Sequence, residues 1–250
     1  MAHSRSLAPA EAPSAQVLTA DMIGIGMLFG GEASSDPNIE DTLLFASLAG
    51  MERGDLRVLA VLVTWFGVHS ARVNADRLTR LVGEQESMRV RAFWSALAHW
   101  RASDRRLARL SSMALGPHVD LLSSGTAFLV GRHGEDPRFS GSKLRVPANV
   151  LRDRPADVLS PADLAARHEA YRWRLVIGPG YRADMWAALE RDPDLSASAL
   201  ARSAYGSFAT AWQVRRDFTV WSPVAMSPSG ESTSRAISRV RHEKRRRGSR

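Results

Sequence analysis

One stretch of this sequence, residues 178–221, constrains the fold more tightly than the rest. Within it, apolar residues recur at three- and four-residue spacing in three short segments, which is the pattern of amphipathic helices. Two breaks separate these segments. Residues 192–194 are Asp-Pro-Asp, where proline cannot continue the helical hydrogen bonds, and residues 205–206 are Tyr-Gly. The stretch therefore predicts three short helices joined by two tight turns.

The ends of these helices are indicated by residues that favour helix termini. We expect the first helix at residues 181–191, because an acidic residue lies in its first turn and a basic one in its last. Ser196 is a good N-cap for the second helix, and Ser207 for a third that ends near Phe218. Two helices joined by a short turn, with another helix packed on them, have the geometry of a helix-turn-helix.

The third helix of this stretch has two distinct faces. Its apolar face has side chains at positions i, i+3 and i+7 that would pack on the other two helices, namely Ala211, Val214 and Phe218. Its polar face has Thr210, Gln213 and Arg216. In the major groove of DNA, glutamine pairs with adenine and arginine with guanine, so the polar face is a candidate base-reading surface. Two further arginines, Arg202 and Arg215, are candidates for phosphate contacts.

Residues 200–218, with the sequence LARSAYGSFATAWQVRRDF, resemble the helix-turn-helix and winged-helix regulators of bacteria. They depart from the usual pattern at the turn, where Tyr205 precedes the glycine. No full wing follows, since residues 219–221 offer one short strand that Pro223 ends. The resemblance implies a sequence-specific DNA-binding protein, either a transcriptional regulator or the antitoxin of an operon that controls itself. The base-reading residues that it implies are Ser207, Thr210, Gln213 and Arg216.

The first half of the chain predicts a helical domain at residues 21–150, preceded by a disordered segment at residues 1–20 that is rich in Ala, Pro and Ser. A β-hairpin is expected in this domain, because residues 126–130 and 143–146 have strand-like composition and a turn-rich connection. Such a hairpin would be a wing, and the arginines of residues 89–109 would then form a second candidate surface for phosphates. The alternative is that these arginines lie on a solvated helix face.

The second half predicts a connector, the helix-turn-helix and a tail. The proline-rich residues 144–164 are expected to lead into a second domain at residues 151–222. Residues 223–250 are expected to form a disordered basic tail, because residues 231–250 hold eight Lys/Arg and two Glu of a chain whose net charge is +8. The folded body is therefore nearly neutral, whereas the tail would bind nucleic acid through counterion release. The whole chain is predicted to be mainly α-helical with one small hairpin.

Little in the sequence indicates catalysis or a cofactor. The chain has no cysteine, which excludes disulfides and cysteine-based zinc sites. It has no His-Glu-x-x-His or comparable spacing, so we expect no metal, no cofactor and no catalytic set, and an enzyme is the less favoured interpretation. No apolar run approaches the ~20 residues of a membrane span, so we expect a cytoplasmic protein without a membrane partner.

Nucleic acid is the expected partner, with DNA favoured over RNA. Because palindromic operators match the two-fold symmetry of the protein that reads them, we expect a homodimer whose interface lies on the N-terminal helices. Two alternatives remain open. One is a protein-interaction scaffold whose helices only form a bundle. The other is a metal-dependent nuclease, whose scattered Asp and Glu ligands leave little trace in a sequence.

Overall fold

The structure, a computed structural model, describes residues 12–114 and 116–226 and is built mainly from α-helices. In chain order, the first six helices are α1 (Ala15–Gly24), α2 (Ile39–Arg53), α3 (Leu56–His69), α4 (Ala75–Gly83), α5 (Met88–Trp100) and α6 (Ala108–Ser111). The next six are α7 (Thr126–His133), α8 (Pro161–Arg167), α9 (Glu169–Ile177), α10 (Tyr181–Arg191), α11 (Ala197–Ser203) and α12 (Phe208–Met226). Short 3-10 turns lie at Ser70–Arg72, Arg105–Leu107 and Pro155–Asp157.

Two short strands, β1 (Val119–Asp120) and β2 (Leu144–Arg145), form a small parallel sheet. Backbone hydrogen bonds flank the pair, from the Val119 nitrogen to the Lys143 oxygen at 2.8 Å and from the Leu121 nitrogen to the Arg145 oxygen at 3.0 Å. The predicted fold class, mainly helical with a small β-hairpin, is confirmed in its helical content and in its single small sheet within the described residues.

The predicted position of the first strand and its direction are wrong. Residues 126–130, expected as that strand, belong to α7, which follows a left-handed Gly125 and buries Thr126. The partner of β2 is β1, which precedes α7, and the two strands run parallel. A parallel pair needs a crossover rather than a hairpin turn, and α7 is part of that crossover. The wing expected from residues 126–146 is therefore not formed.

Three helix ends also differ from the predictions. α1 begins at Ala15, so residues 15–20 are helical and not disordered. The helix expected from Pro161 onward is divided into α8 and α9, because His168 has an extended backbone (φ −123°, ψ 108°). α12 continues to Met226, so residues 219–226 are helical, whereas a short strand and the start of the tail were expected there. The remainder of the predicted disorder, residues 1–11 and 227–250, lies outside the described residues.

Polar side chains set the start of several helices by accepting hydrogen bonds from backbone N–H groups that the helix itself leaves free. At α2, the Asn38 Oδ1 accepts from the Asp41 nitrogen at 3.1 Å. At α3, the Asp55 Oδ1 accepts from the Val58 nitrogen, also at 3.1 Å. Between these caps, α2 ends at Gly54, whose left-handed φ of 68° reverses the chain.

The larger of the two hydrophobic clusters among the described residues includes most of α3. Trp65 of that helix and Trp94 of α5 have no exposed surface. The indole N–H of Trp65 donates to the Ile25 carbonyl at 2.7 Å, and that of Trp94 donates to the Ser47 Oγ at 2.9 Å. Each ring therefore buries its apolar body without leaving its one polar atom unpaired. We call the part of the structure that packs on this cluster, residues 12–171, the N-terminal body.

The smaller cluster belongs to the C-terminal helices. Apolar residues as far along the chain as Tyr171 pack in the larger cluster, whereas Trp173 packs against the smaller one. The change from one cluster to the other thus falls within α9, and the predicted domain boundary at residue 151 stays a prediction. We call residues 172–226 the C-terminal unit.

The described helices include none that combines the length and the apolar character needed to cross a lipid bilayer.

Candidate nucleic-acid interface

The core of the C-terminal unit is formed by α10, α11 and α12, each of which contacts the other two. Small buried side chains let these helices approach closely, namely Ala188, Ala197, Ala201, Ala204 and Ala211. Aromatic rings close one side of the group, with Trp186 lying 5.1 Å from Trp173 and 5.3 Å from Phe218 between ring centroids. The first helix has both of its predicted ends, and the other two begin directly after Ser196 and Ser207, as predicted.

The turn between α11 and α12 spans residues 204–207 and shows why a tyrosine stands where a glycine is usual. Tyr205 has a left-handed φ of 54°, which is uncommon for a residue with a side chain. Its ring lies under the Arg77 guanidinium, with 3.9 Å between the guanidinium carbon and the ring centroid. The contact with the N-terminal body therefore supports a conformation that the backbone alone disfavours. Gly206 follows where space is short, since a Cβ there would lie 2.3 Å from the Met185 Cε.

The apolar face predicted for α12 points inward. Ala211 and Val214 have no exposed surface, and Phe218 is 8% exposed. Gln213 and Arg216, from the predicted polar face, are exposed to solvent. The faces of this helix are thus those expected from the residue spacing, although the role of the polar face in base reading stays a prediction.

The two hydroxyl groups at the start of α12 are less free than expected. The Ser207 Oγ accepts a hydrogen bond from the Thr210 nitrogen at 3.1 Å and so caps the helix. The same oxygen lies 2.8 Å from the Thr210 Oγ1, and Thr210 is only half-exposed. Each hydroxyl keeps capacity for one further hydrogen bond, so both are able to contact a ligand at the helix start.

The arginines predicted to contact DNA have no ion pair within the described part of the chain. Arg202 and Arg216 are exposed and Arg215 is half-exposed. By contrast, Arg182 on α10 pairs with Asp217 at 3.0 Å. The described residues thus leave three cations of the C-terminal unit without a carboxylate within salt-bridge distance. Such cations are available to phosphate or to base edges.

Sequence analysis missed two aromatic residues on the same helix. Phe208 and Trp212 are each 54% exposed, which is unusual for large apolar side chains in a soluble protein. The Arg216 guanidinium carbon lies 5.7 Å from the centroid of the Trp212 ring. The spacing 208, 212, 216 was the available signal, because residues four apart lie on one side of a helix. We call the exposed residues of this side the outer face of α12, comprising Phe208, Ala209, Trp212, Gln213 and Arg216.

The opposite side of the C-terminal unit is attached to the N-terminal body by buried ion pairs. Arg174 of α9, 1% exposed, pairs with Glu40 of α2 at 2.6 Å and with Asp184 of α10 at 2.8 Å. Arg77 of α4, which has no exposed side-chain surface, pairs with Asp41 at 2.7 Å. Because these pairs join α2, α4, α9 and α10, they fix the position of the helix-turn-helix on the N-terminal body. We call this network, together with Tyr205, the junction.

The charges of the junction alter the pKa of its members. Burial would raise the pKa of Glu40, but the Arg174 and Arg77 guanidinium groups and the Asn74 backbone N–H together outweigh burial and lower it. For Asp184, burial prevails over the same guanidinium and raises the pKa to about 6. Arg174 lies between two carboxylates, and their charges raise its pKa despite burial. At neutral pH the junction therefore holds Arg174 charged between its partners.

Of the six arginines in residues 89–109, considered as a second phosphate surface, three are held by protein groups, whereas Arg101, Arg105 and Arg109 have no ion pair among the described residues. Arg89 donates to the Leu121 carbonyl at 2.7 Å, and Arg91 donates to the Gly83 carbonyl at 3.0 Å. Arg106 pairs with Asp104 at 2.5 Å. Guanidinium groups held in this way have fewer donors left for phosphate, and the wing that would complete the surface is not formed.

No group of three or more potential metal ligands lies together among the described residues. A polar cavity of about 190 Å³ lies beside the junction, lined in part by Asp36, Arg174, Asp184 and Arg191. Its charged groups are ion-paired with protein groups, since Asp36 lies 3.0 Å from Arg191. The cavity is therefore a feature of the junction.

Comparison of this chain with protein-family models, with curated proteins and with solved structures finds no match. The function proposed for it therefore rests on the arrangement of α10, α11 and α12.

Proposed function

We propose that this chain is a sequence-specific DNA-binding protein that places the outer face of α12 in the major groove. The observation that carries the proposal is that face itself, because its polar and cationic side chains point away from the protein and lack carboxylate partners within the described residues. Gln213 and Arg216 would read base edges, together with the hydroxyls of Ser207 and Thr210. Arg202 and Arg215 would contact phosphates.

The charge distribution supports binding at this face rather than general attraction to the unit. Residues 178–221 hold five arginines and five acidic residues, so the stretch as a whole is neutral. Three of the acids, Asp184, Glu190 and Asp217, are ion-paired to arginines on other faces. The net positive charge of the chain follows α12 in the sequence, within residues 231–250. That segment would add affinity without sequence preference.

The proposed biological role is transcriptional regulation, and an antitoxin that controls its own operon is a narrower form of it. The protein would act in the cytoplasm as a homodimer on a two-fold symmetric operator, with the N-terminal body as the dimer interface. Sedimentation velocity of the full chain tests the dimer, and a monomer at the concentration of tight operator binding would contradict it.

The function is tested by titrating the full chain against duplex DNA from the region upstream of its own gene and against scrambled duplexes of equal length. Fluorescence anisotropy across a salt series, with and without Mg²⁺, separates the alternatives. Tighter binding to one upstream duplex supports the proposal. Cleavage that requires Mg²⁺ would point to a nuclease, and no salt-dependent binding to any duplex would point to a scaffold.

A matched pair of variants assigns that binding to the outer face. Arg216→Ala is expected to weaken binding to the preferred duplex roughly 5- to 150-fold, because an arginine–guanine pair contributes about 1–3 kcal/mol. Arg53→Ala removes the same charge from an exposed position at the end of α2 and should leave selectivity unchanged. Equal losses in both variants would mean that net charge alone drives the binding.

A further inference from the structure

The outer face of α12 exposes more aromatic surface than hydrogen-bonded base reading requires. Phe208 and Trp212 lie one helical turn apart, and each has 54% of its surface exposed. On the same helix, Ala211 and Val214 are completely buried. The helix therefore has an inner apolar face that packs, and two outer aromatic rings that contribute little to the core of the unit.

The direction of these rings follows from helix geometry. With about 100° between successive residues, Ala209 and Arg216 lie opposite the centre of the buried face. Trp212 lies on one side of this line and Gln213 on the other, each about 50° from it, whereas Phe208 lies about 90° from it, at the edge of the outer face. A duplex that receives α12 in its major groove must therefore meet Trp212 as directly as it meets Gln213.

We infer that Phe208 and Trp212 read thymine methyl groups, an inference that rests on the proposed function. The thymine C5-methyl is the apolar group that a base pair presents in the major groove. A ring pressed against any other base edge would remove hydrogen-bonding groups from water without replacing their partners, which is unfavourable. Thymine is thus the base that these two side chains select.

The position of Arg216 extends the inference to a neighbouring base. Its guanidinium carbon lies 5.7 Å from the Trp212 ring centroid, so the two side chains reach the groove side by side. Arginine favours guanine, because it donates to two acceptors on the same base edge. The preferred half-site therefore contains a thymine and a guanine at adjacent or nearly adjacent base pairs.

The partner is duplex DNA and not a second copy of this chain, because Arg216 lies beside the Trp212 ring and two further arginines, Arg202 and Arg215, belong to the same helix-turn-helix. Arg202, Arg215 and Arg216 have no carboxylate within salt-bridge distance among the described residues. Two copies joined through this face would bring these cations together, which electrostatic repulsion opposes. A polyanion would neutralise them.

The test replaces single thymines by deoxyuridine in the preferred duplex, which removes one methyl group and leaves base pairing unchanged. Wild-type protein is expected to lose about three- to tenfold in affinity at one or two thymine positions, since each contact buries a methyl group. Trp212→Ala is expected to lose the thymine preference at one of these positions, and Phe208→Ala at the other, because each ring contacts its own methyl group. A 5-methylcytosine at the same position, which returns the methyl group on another base, should recover part of the lost affinity.

Phe128→Ala is the matched control, because Phe128 on α7 is also exposed, at 68%, but lies in the N-terminal body. It should keep the full thymine dependence. Circular dichroism and urea unfolding should be unchanged in Trp212→Ala, and Trp212→Phe should recover much of the thymine preference.

Three results would overturn the inference, and they differ from failure of the proposed function. If the protein binds DNA selectively but its affinity does not change when uracil replaces thymine at any position, methyl reading is excluded and the DNA-binding function remains. Thymine dependence that is unchanged at every position in both Trp212→Ala and Phe208→Ala would lead to the same conclusion. If Trp212→Ala makes the protein monomeric and leaves its methyl dependence unchanged, the Trp212 ring serves self-association. If no duplex is preferred at all, the proposed function itself fails.

Discussion

The two sides of the C-terminal unit use arginine in opposite ways. At the junction, Arg77 and Arg174 are buried and ion-paired with carboxylates of the protein. On and beside the outer face of α12, Arg202, Arg215 and Arg216 reach solvent with no carboxylate within salt-bridge distance among the described residues. Arginine thus fixes the helix-turn-helix to the N-terminal body at the junction, whereas at the outer face of α12 it is available to a ligand.

This difference shows that the abundance of arginine in a chain is a poor guide to nucleic-acid binding. A guanidinium that already donates to several protein oxygens is a structural group, as in the contacts of Arg174 with Glu40 and Asp184. Free donors and exposure, rather than charge alone, distinguish a candidate binding arginine.

Removal of the Arg174 guanidinium should be the most destabilising change. Arg174→Met leaves Glu40 and Asp184 buried without their cation, and the free energy of unfolding is expected to fall by about 3–5 kcal/mol. Urea unfolding followed by circular dichroism measures this. Arg172→Ala, two residues away, removes an exposed pair with Glu190 and should cost about 0–1 kcal/mol. Similar costs for the two variants would contradict the structural role assigned to the junction.

Acid should weaken the N-terminal body through His69. This imidazole contacts the Tyr171 hydroxyl at 2.7 Å and the Leu159 carbonyl at 3.1 Å, and burial lowers its pKa from 6.5 to about 4. Between these two values the unfolded chain binds the proton more readily than the folded one. Stability should therefore fall as pH drops from 6.5 towards 4, by about 3 kcal/mol from this group.

The contribution of His69 is isolated by comparing wild type with His69→Gln in urea unfolding at several pH values. The raised pKa of Asp184 acts in the opposite direction, since the folded state then holds the proton more tightly and stability falls as pH rises towards 6. Because Asp184 is present in both proteins, its effect cancels in the difference. A difference in unfolding free energy that does not change between pH 6.5 and 4 would show that His69 titrates normally in the folded protein.

A methyl group at the turn should have an intermediate effect. Gly206→Ala places a Cβ against the Met185 Cε, which is the flexible end of its side chain, so the cost should lie at the low end of overpacking, about 1 kcal/mol. In a Met185→Ala background the cost should largely disappear, which a double-mutant cycle reveals. Gly180→Ala is the control, because nothing lies within 4 Å of its added Cβ. If the two glycine variants are equally stable, the close packing of the turn is not as described.

Alanine at Arg202, Arg215 or Arg216, which have no ion pair among the described residues, should have the smallest effect on stability. Arg202→Ala, Arg215→Ala and Arg216→Ala are each expected to change the unfolding free energy by no more than about 0.5 kcal/mol, as is usual for surface positions. Thermal unfolding of the three variants beside Arg174→Met measures the contrast directly. If the unfolding free energy of any of these variants falls by more than about 2 kcal/mol, the arginine that was replaced has a structural partner. The junction and the outer face of α12 would then not differ in their use of arginine.

Local sequence signals predicted the C-terminal unit well because its helices begin at side-chain caps and end at strong breaks. Ser196, Ser207 and the Asp-Pro-Asp break each act within a few residues, so a sequence displays them directly. The end of α12 was missed for a tertiary reason. Trp221 packs against Trp173 and Trp186 at 5.6 and 5.4 Å, and this packing favours helix beyond the point where Pro223 predicted a break.

Contacts between distant parts of the chain were not predictable in this way. Glu40 and Arg174 are separated by 134 residues. No sequence motif around either residue indicates that the two form an ion pair. The pairing of β1 with β2 likewise joins segments that a local pattern does not connect, so residues 126–130 were assigned to a strand. Trp212 was overlooked because an aromatic residue in an amphipathic helix usually packs inward.

The central claim is that α12 reads bases through its outer face, and Gln213 tests it most directly. Duplexes selected from a randomised pool by wild type and by Gln213→Ala should share a consensus except at one or two positions, where wild type selects adenine and the variant selects no base. The overall fold and the salt dependence of binding should be the same for both proteins. An identical consensus from the two proteins would contradict the claim, because the exposed amide of Gln213 would then lie outside the DNA contact.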